Sequence, residues 1–429
     1  MGFSFLPTWP LSIDGLVVFG GIVLIGLLGG RVAHYTGFLP RISGFILIGF
    51  LFGPSILNIL SLDMISRAEV FVDIALGLIL FQLGWRLDIQ KLRHDHSLLV
   101  TGILESAASF FLIYVVLVSL NVGPIYAAMA AALGISTSPA VVLLVVRELG
   151  ASGPVTERSL NLVAINNVTA FIAFSLILPF IHLAHHISPI PALLQPAYQF
   201  IGALTLAYVL CWLLVRLGRL LGKSESMQFA LLVGMIVLAI GMAKMLNVST
   251  LFTLLGLGIM ARNLDKKQDL METEFGHSGE IFFVILFVLA GATLHVSELA
   301  QVGWAAPAFV LARFLGKSLV VFVASRRHGL SNVQSVSLGF TLVPMAGLAI
   351  GLTQTASAMY PEFGAKLSAI IVASVAILET IGPVMTEIAL KRSGEAGVSG
   401  QWLRFGKHTT LPGEPPATGA EGARQNENN

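Results

Sequence analysis

Two short stretches decide how this chain folds: Gly134-Ile135-Ser136-Thr137-Ser138-Pro139 and Thr341-Leu342-Val343-Pro344-Met345-Ala346-Gly347. The first interrupts an apolar run over about 124–146, the second a run over about 332–357. Proline removes a backbone N–H and clashes with the preceding helical turn. In hydrocarbon, the carbonyls this frees are tolerated only where protein or a water-filled cavity satisfies them. One such stretch alone reads equally well as a proline kink satisfied by Ser and Thr hydroxyls. Two of them, seven spans apart and therefore running in opposite directions, fit an inverted repeat whose broken helices cross near the midplane.

Working outward, the chain has 429 residues, 55% hydrophobic and 11% charged. A soluble chain carries about 25% charged residues. Its apolar runs are continuous and about 20 residues long, the length of a membrane-crossing helix, and lack the alternation of a lipid-facing β-barrel. Thirteen runs are expected to span, near 12–34, 38–60, 68–87, 97–119, 124–146, 159–183, 198–219, 227–246, 248–262, 279–296, 299–325, 332–357 and 367–390. No Lys or Arg precedes the first, so it reads as a span rather than a cleaved signal. Basic residues concentrate in alternate loops, seventeen on one side against Arg67, Lys244 and Lys366 on the other. By the positive-inside rule the N-terminus is then outside and the C-terminus cytoplasmic. The fold class is therefore all-α and membrane-spanning over 1–392, with repeats at about 12–185 and 227–391 and a connector helix at about 198–219. Residues 393–429 are polar and Gly/Pro-rich and read as a disordered cytoplasmic tail.

Small-residue pairs at four-residue spacing (Gly26/Gly30, Gly49/Gly53 and Gly347/Gly351) read as close helix packing. The lone Cys211 lies in an apolar run, which gives no disulfide framework and no thiolate metal site. No cofactor or nucleic-acid motif is present. His182, His185 and His186 fall just after the sixth span and read as a solvated loop.

Five charges cannot be placed in loops: Asp73, Glu105, Arg313, Lys317 and Glu379. Each costs a few kcal/mol near the bilayer centre and is a candidate functional residue. Counted from the cytoplasmic end at about 1.5 Å per residue, Glu105, Lys317 and Glu379 lie within roughly 5 Å of one depth. Asn166 and Asn167 fall there too. Asp73 sits nearer the outer interface, and Glu280 near the inner one. Arg313 and Lys317, four apart, share a helical face, so mutual neutralisation with the carboxylates is as natural a reading as function.

Several of these pieces together resemble the monovalent cation:proton antiporter superfamily, in particular its branch of Kef-like and Nap-like exchangers. They are Gly44-Phe45 through Gly53-Pro54-Ser55, Leu80-Phe81-Gln82-Leu83-Gly84, Ser136-Thr137-Ser138-Pro139-Ala140-Val141-Val142, Phe282-Phe283 through Gly291 and Arg313-Phe314-Leu315-Gly316-Lys317. The resemblance implies an Nha/Nap-like fold in the cell membrane. It also implies a homodimer and elevator-type exchange of Na+ or K+ for protons. Members usually carry Asp-Asp or Asn-Asp on the sixth span and Thr-Asp-Pro at the first crossover. This chain has Asn166-Asn167 and Thr137-Ser138-Pro139 instead. Neither amides nor hydroxyls titrate in the physiological range. Thr137, Ser138, Asn166 and Asn167 are therefore expected to offer neutral oxygen ligands. Glu379, on the repeat mate of the sixth span, is expected to carry the proton, with Lys317, Arg313 and Glu105 coupling charge. Two alternatives stay open: an anion or organic-solute carrier on the same scaffold, or a transport-inactive sensor.

Overall fold

The computed structural model describes residues 15–36, 39–90, 96–184, 189–222, 224–265, 270, 276–294, 303–359 and 361–397. The described chain is helical throughout, in the order α1 (Gly15–Thr36), α2 (Arg41–Phe52), the short α3 (Leu62–Arg67), α4 (Glu69–Arg86), α5 (His96–Ser119), α6 (Pro124–Gly134), α7 (Pro139–Glu148) and α8 (Pro154–Ala184). Then follow α9 (Pro189–Leu221), α10 (Glu225–Met245), α11 (Thr250–Leu264), α12 (Gly276–Ala292), α13 (Ala305–Arg327), α14 (Asn332–Thr341), α15 (Gly347–Met359) and α16 (Pro361–Arg392). Each of the thirteen expected spans corresponds to one helix or to one of the interrupted pairs α6/α7 and α14/α15.

The breaks fall where the prolines and hydroxyls put them. After Gly134 the chain leaves helical geometry. The Ser138 hydroxyl then accepts from the Val141 N–H at 3.4 Å and Pro139 opens α7 at its first position, where a missing N–H costs nothing. In the second repeat Ser331 and Gln334 form a reciprocal capping box at the start of α14, which ends at Thr341. The two breaks meet: the Ser138 N–H donates to the Pro344 carbonyl at 2.9 Å. Backbone groups freed by one crossing thus satisfy the other, as hydrocarbon requires.

Helix contacts sort the chain into two groups. α5, α6, α7, α8, α13, α14, α15 and α16 pack mainly on one another, as do α1, α2, α4, α9, α10, α11 and α12. Each group takes three consecutive spans from each repeat, the second group also holding the connector α9, which is the signature of the repeat. Between the groups run the α8–α9, α2–α16, α4–α7 and α4–α8 contacts. Phe171 of α8 stacks there on Phe252 of α11, with ring centres 4.5 Å apart. The Glu148 carboxylate accepts from the Arg41 N–H at 3.0 Å.

Glycines set the closest approaches. A Cβ on Gly49 would lie 2.0 Å from the Val288 carbonyl oxygen, and one on Gly316 would lie 2.6 Å from Ser109 Cα. Gly26, Gly30 and Gly53 are similarly crowded, whereas Gly347 and Gly351 meet only leucine side-chain tips at 3.2 and 3.1 Å. Asp73 is half-buried and pairs with Lys244 of α10, a bridge inside the second helix group. The Glu280 side chain, the His182 side chain, His185, His186 and residues 398–429 lie outside the described residues.

Candidate functional site

The site grows from the crossing of α6/α7 with α14/α15. Helix C-termini carry partial negative charge and unsatisfied carbonyls, and two of them, those of α6 and α14, converge here. Arg313 of α13 answers both. Fully buried, it donates from Nε to the Gly134 carbonyl at 2.9 Å, from Nη1 to Val343 at 2.7 Å, and from Nη2 to Ser136 at 2.6 Å and Pro344 at 3.3 Å. The Thr137 hydroxyl lies 3.4 Å from Nη2. A planar fork with five N–H donors is the side chain this convergence demands. Lysine would leave carbonyls unpaired.

Against the first break lies α8 with its asparagine pair. Asn166 donates from Nδ2 to the Thr137 hydroxyl at 3.1 Å, and Asn167 from Nδ2 to the Thr137 and Val163 carbonyls, both at 3.0 Å. These bonds use the amide N–H groups and so orient both amide oxygens away from the broken chain. Among the described residues, Asn166 Oδ1 meets only the Ser106 hydroxyl, at 3.5 Å. Asn167 Oδ1 is buried with no partner among the described residues. A buried acceptor left unpaired costs about 1–3 kcal/mol, a cost that an oxygen-seeking ligand would remove.

One helical turn along α13, Lys317 donates from Nζ to Glu105 Oε2 of α5 at 2.9 Å, with side chains 1% and 0% exposed. Gly316 permits this pairing, because without a side chain α13 closes onto the α5 backbone at Ser109. The Glu105 carboxylate also attracts Arg313. Its second oxygen, Oε1, has no hydrogen-bond partner among the described residues, nor has the Ser109 hydroxyl one turn on. Ser106, next to Glu105, reaches Asn166, so the ion pair and the amide pair belong to one polar cluster.

Of the residues expected from sequence, the structure brings together Thr137, Asn166, Asn167, Arg313, Lys317 and Glu105. Ser138 spends its hydroxyl on capping α7 and its N–H on Pro344. Glu379 of α16 is 3% exposed and makes no hydrogen bond or ion pair among the described residues. It stands apart from the cluster's polar contacts. Sequence reasoning missed Ser106, Ser109 and the four carbonyls that hold Arg313. A polar stripe of Thr101, Glu105, Ser106 and Ser109 along α5 was the available signal for the first two. The carbonyls carry none.

This architecture, two interrupted helices crossing amid buried charge, is that of a secondary transporter. The profile of the transmembrane sodium/hydrogen exchanger family matches residues 20–392, and the chain belongs to that family of transporters, within the monovalent cation:proton antiporter superfamily. Among solved structures, the sodium proton antiporter MjNhaP1 from Methanocaldococcus jannaschii at pH 8 is similar, with a TM-score of 0.65 and 17% identity over 88% of this chain and 96% of that one. An electron-microscopy structure of the same antiporter gives 0.64 and 18%, over 88% and 95%. No curated protein matches significantly.

Proposed function

We propose that this chain exchanges Na+ or K+ for protons by elevator-type alternating access, with the crossing-helix group moving against the other as a homodimer in the cell membrane, N-terminus outside and C-terminus cytoplasmic. The observation that carries the coupling is the buried Lys317–Glu105 pair, whose carboxylate keeps one oxygen unpaired among the described residues, in the polar cluster that Ser106 links to Asn166. A hard monovalent cation binds oxygen ligands, and the candidates are Glu105 Oε1, Asn167 Oδ1 and the weakly engaged Asn166 Oδ1; the Thr137 hydroxyl already accepts from Asn166 and faces Arg313, so its part is to orient the amide. Holding both a cation and a protonated Lys317 on one carboxylate would leave a buried charge uncompensated, at a cost of several kcal/mol. Cation entry with release of the Lys317 proton keeps the net charge constant. Cation departure with proton uptake restores the pair. The carboxylate that relatives place on the sixth span is thus supplied from α5.

Glu379 is the competing proton carrier, being buried and unpaired. An anion or organic-solute carrier is less well supported, since Arg313 is held by carbonyls and Lys317 by Glu105, leaving neither as an open receptor. Proteoliposomes loaded with a pH-sensitive dye separate the readings when pulsed with Na+ or K+. Glu105→Gln and Lys317→Gln are expected to abolish cation-driven proton flux. Undiminished flux in Glu105→Gln with loss in Glu379→Gln would move the carrier to α16. No cation dependence in the unaltered chain would leave the anion carrier or the transport-inactive sensor.

A further inference from the structure

The chain just beyond α16 is built into the site's foundations. Ser393 and Glu395 continue the helix's hydrogen bonding onto the Ala389 and Leu390 carbonyls at 2.9 and 3.3 Å, and Gly394 takes a left-handed turn at φ 76°. That turn carries Glu395 under the start of α8, where it is 8% exposed. Its carboxylate accepts from the Val155 N–H through Oε1 at 2.7 Å. Oε2 takes the Thr156 N–H and the Thr156 hydroxyl, both at 2.7 Å. The backbone joins in: the Ser152 N–H donates to the Glu395 carbonyl at 3.0 Å and the Gly397 N–H to Leu149 at 3.1 Å. Gly153, at φ 152°, has no room for a side chain, since a Cβ there would lie 2.5 Å from Glu395 Cδ.

A helix start leaves its first N–H groups without intrahelical partners. In α8, Pro154 has none to offer, Glu157 is back in the ladder on the Gly153 carbonyl, and Val155 and Thr156 are both taken by Glu395. The cap that nearby sequence normally supplies comes here from 239 and 240 residues away. It is a carboxylate on the positive end of a helix dipole, the favoured sign. The same strap grips the 149–153 loop, which joins α7, the second half of the first broken helix, to α8. Asn166 and Asn167 follow about ten residues later on one continuous helix, roughly 15 Å along its axis.

We propose that Glu395 is a positioning residue for ion binding: the 393–397 strap sets the axial position and rotation of α8, and with it the aim of the Asn166 and Asn167 amide oxygens. This rests on the cation-binding reading above. The test uses full-length protein in proteoliposomes, comparing Glu395→Ala and Glu395→Gln with chains stopped after Gly397 or after Arg392. Apparent KM for Na+ and K+, maximal rate, and hydrogen exchange at Val155 and Thr156 are measured for each. Glu395→Ala and the stop after Arg392 are expected to speed exchange at both amides. They should also raise KM roughly three- to tenfold, the loss of a charged cap, with a smaller change in maximal rate. The stop after Gly397 should match the parent chain. Thr156→Val, which removes only the hydroxyl contact, should give a smaller shift in the same direction and covers the case of a truncated chain that fails to fold. Faster exchange with unchanged KM would reduce Glu395 to a structural cap and overturn the positioning role. Unchanged exchange would overturn the strap itself. If the parent chain moves no cation, the exchange reading fails with it, a result distinct from either of these.

Discussion

Replacing Glu105 by glutamine is the perturbation with the largest consequence worked from the structure. The substitution keeps volume and shape but removes the negative charge from a carboxylate with no exposed surface. Breaking one side of a buried ion pair costs about 3–5 kcal/mol, because the remaining charge has no compensation. Here two cations depend on that carboxylate, Lys317 by direct contact and Arg313 at longer range. The reverse substitution, Lys317→Gln, leaves Glu105 with Arg313 still nearby. Glu105→Gln is therefore expected to cost more stability than Lys317→Gln. The double variant Glu105→Gln/Lys317→Gln should lie within about 1–2 kcal/mol of the parent, since pairs removed together are often neutral. The coupling energy from this cycle should be at least about 2 kcal/mol. Reversible unfolding of the purified protein in detergent measures it, and flux in proteoliposomes is expected to be lost in all three variants even where stability returns. Additive single costs, agreeing within about 0.5 kcal/mol, would refute the idea that these two charges act as one unit.

Three further substitutions probe the scaffold. Arg313→Lys keeps the charge but offers three donors in place of a planar five-donor fork; with two carbonyls stranded at about 1–3 kcal/mol each, an expected loss of roughly 2–6 kcal/mol is read from the same unfolding assay, and parent-like stability would show that the crossing does not need the guanidinium. Gly49→Ala drives a methyl into the Val288 carbonyl and should destabilise by about 1–3 kcal/mol, whereas Gly347→Ala, facing only a leucine tip at 3.2 Å, should be close to neutral; equal losses would mean that the α2–α12 approach is not glycine-dependent.

The parts of this molecule legible in its sequence are those governed by solvent and by local backbone chemistry. Apolar run length reports hydrocarbon thickness, so the spans were readable. Proline and hydroxyl residues report a broken ladder, so both interruptions were placed within a residue or two of Gly134–Pro139 and Thr341–Gly347. Depth counting also brought Glu105 and Lys317 level, because rise per residue is nearly constant along a helix. It gave no azimuth, however. Glu379 shares their depth by the same count, yet sits on α16 without joining their contacts, and only the packing of α5 on α13 at Gly316 decides which carboxylate meets the lysine.

Composition failed differently at the chain's end. Residues 393–397 are Ser-Gly-Glu-Ala-Gly, a string whose solubility and glycine content read as those of a tail. Its order comes from groups it does not contain: two N–H donors and a hydroxyl at the start of α8 that lack any cap of their own. An unpaired donor is invisible in sequence unless the helix start is known to the residue, and its partner is invisible when 239 residues intervene. The same reasoning explains why Arg313 looked from sequence like one half of a possible ion pair. Its partners in the structure are four backbone carbonyls, which every residue possesses and no residue advertises. What a buried charge does in this protein is decided less by the charges that share its depth than by which helix ends point at it. That is why the proposed exchange rests on Lys317 and Glu105, while Arg313, one turn away on the same helix, is committed to carbonyls of the crossing.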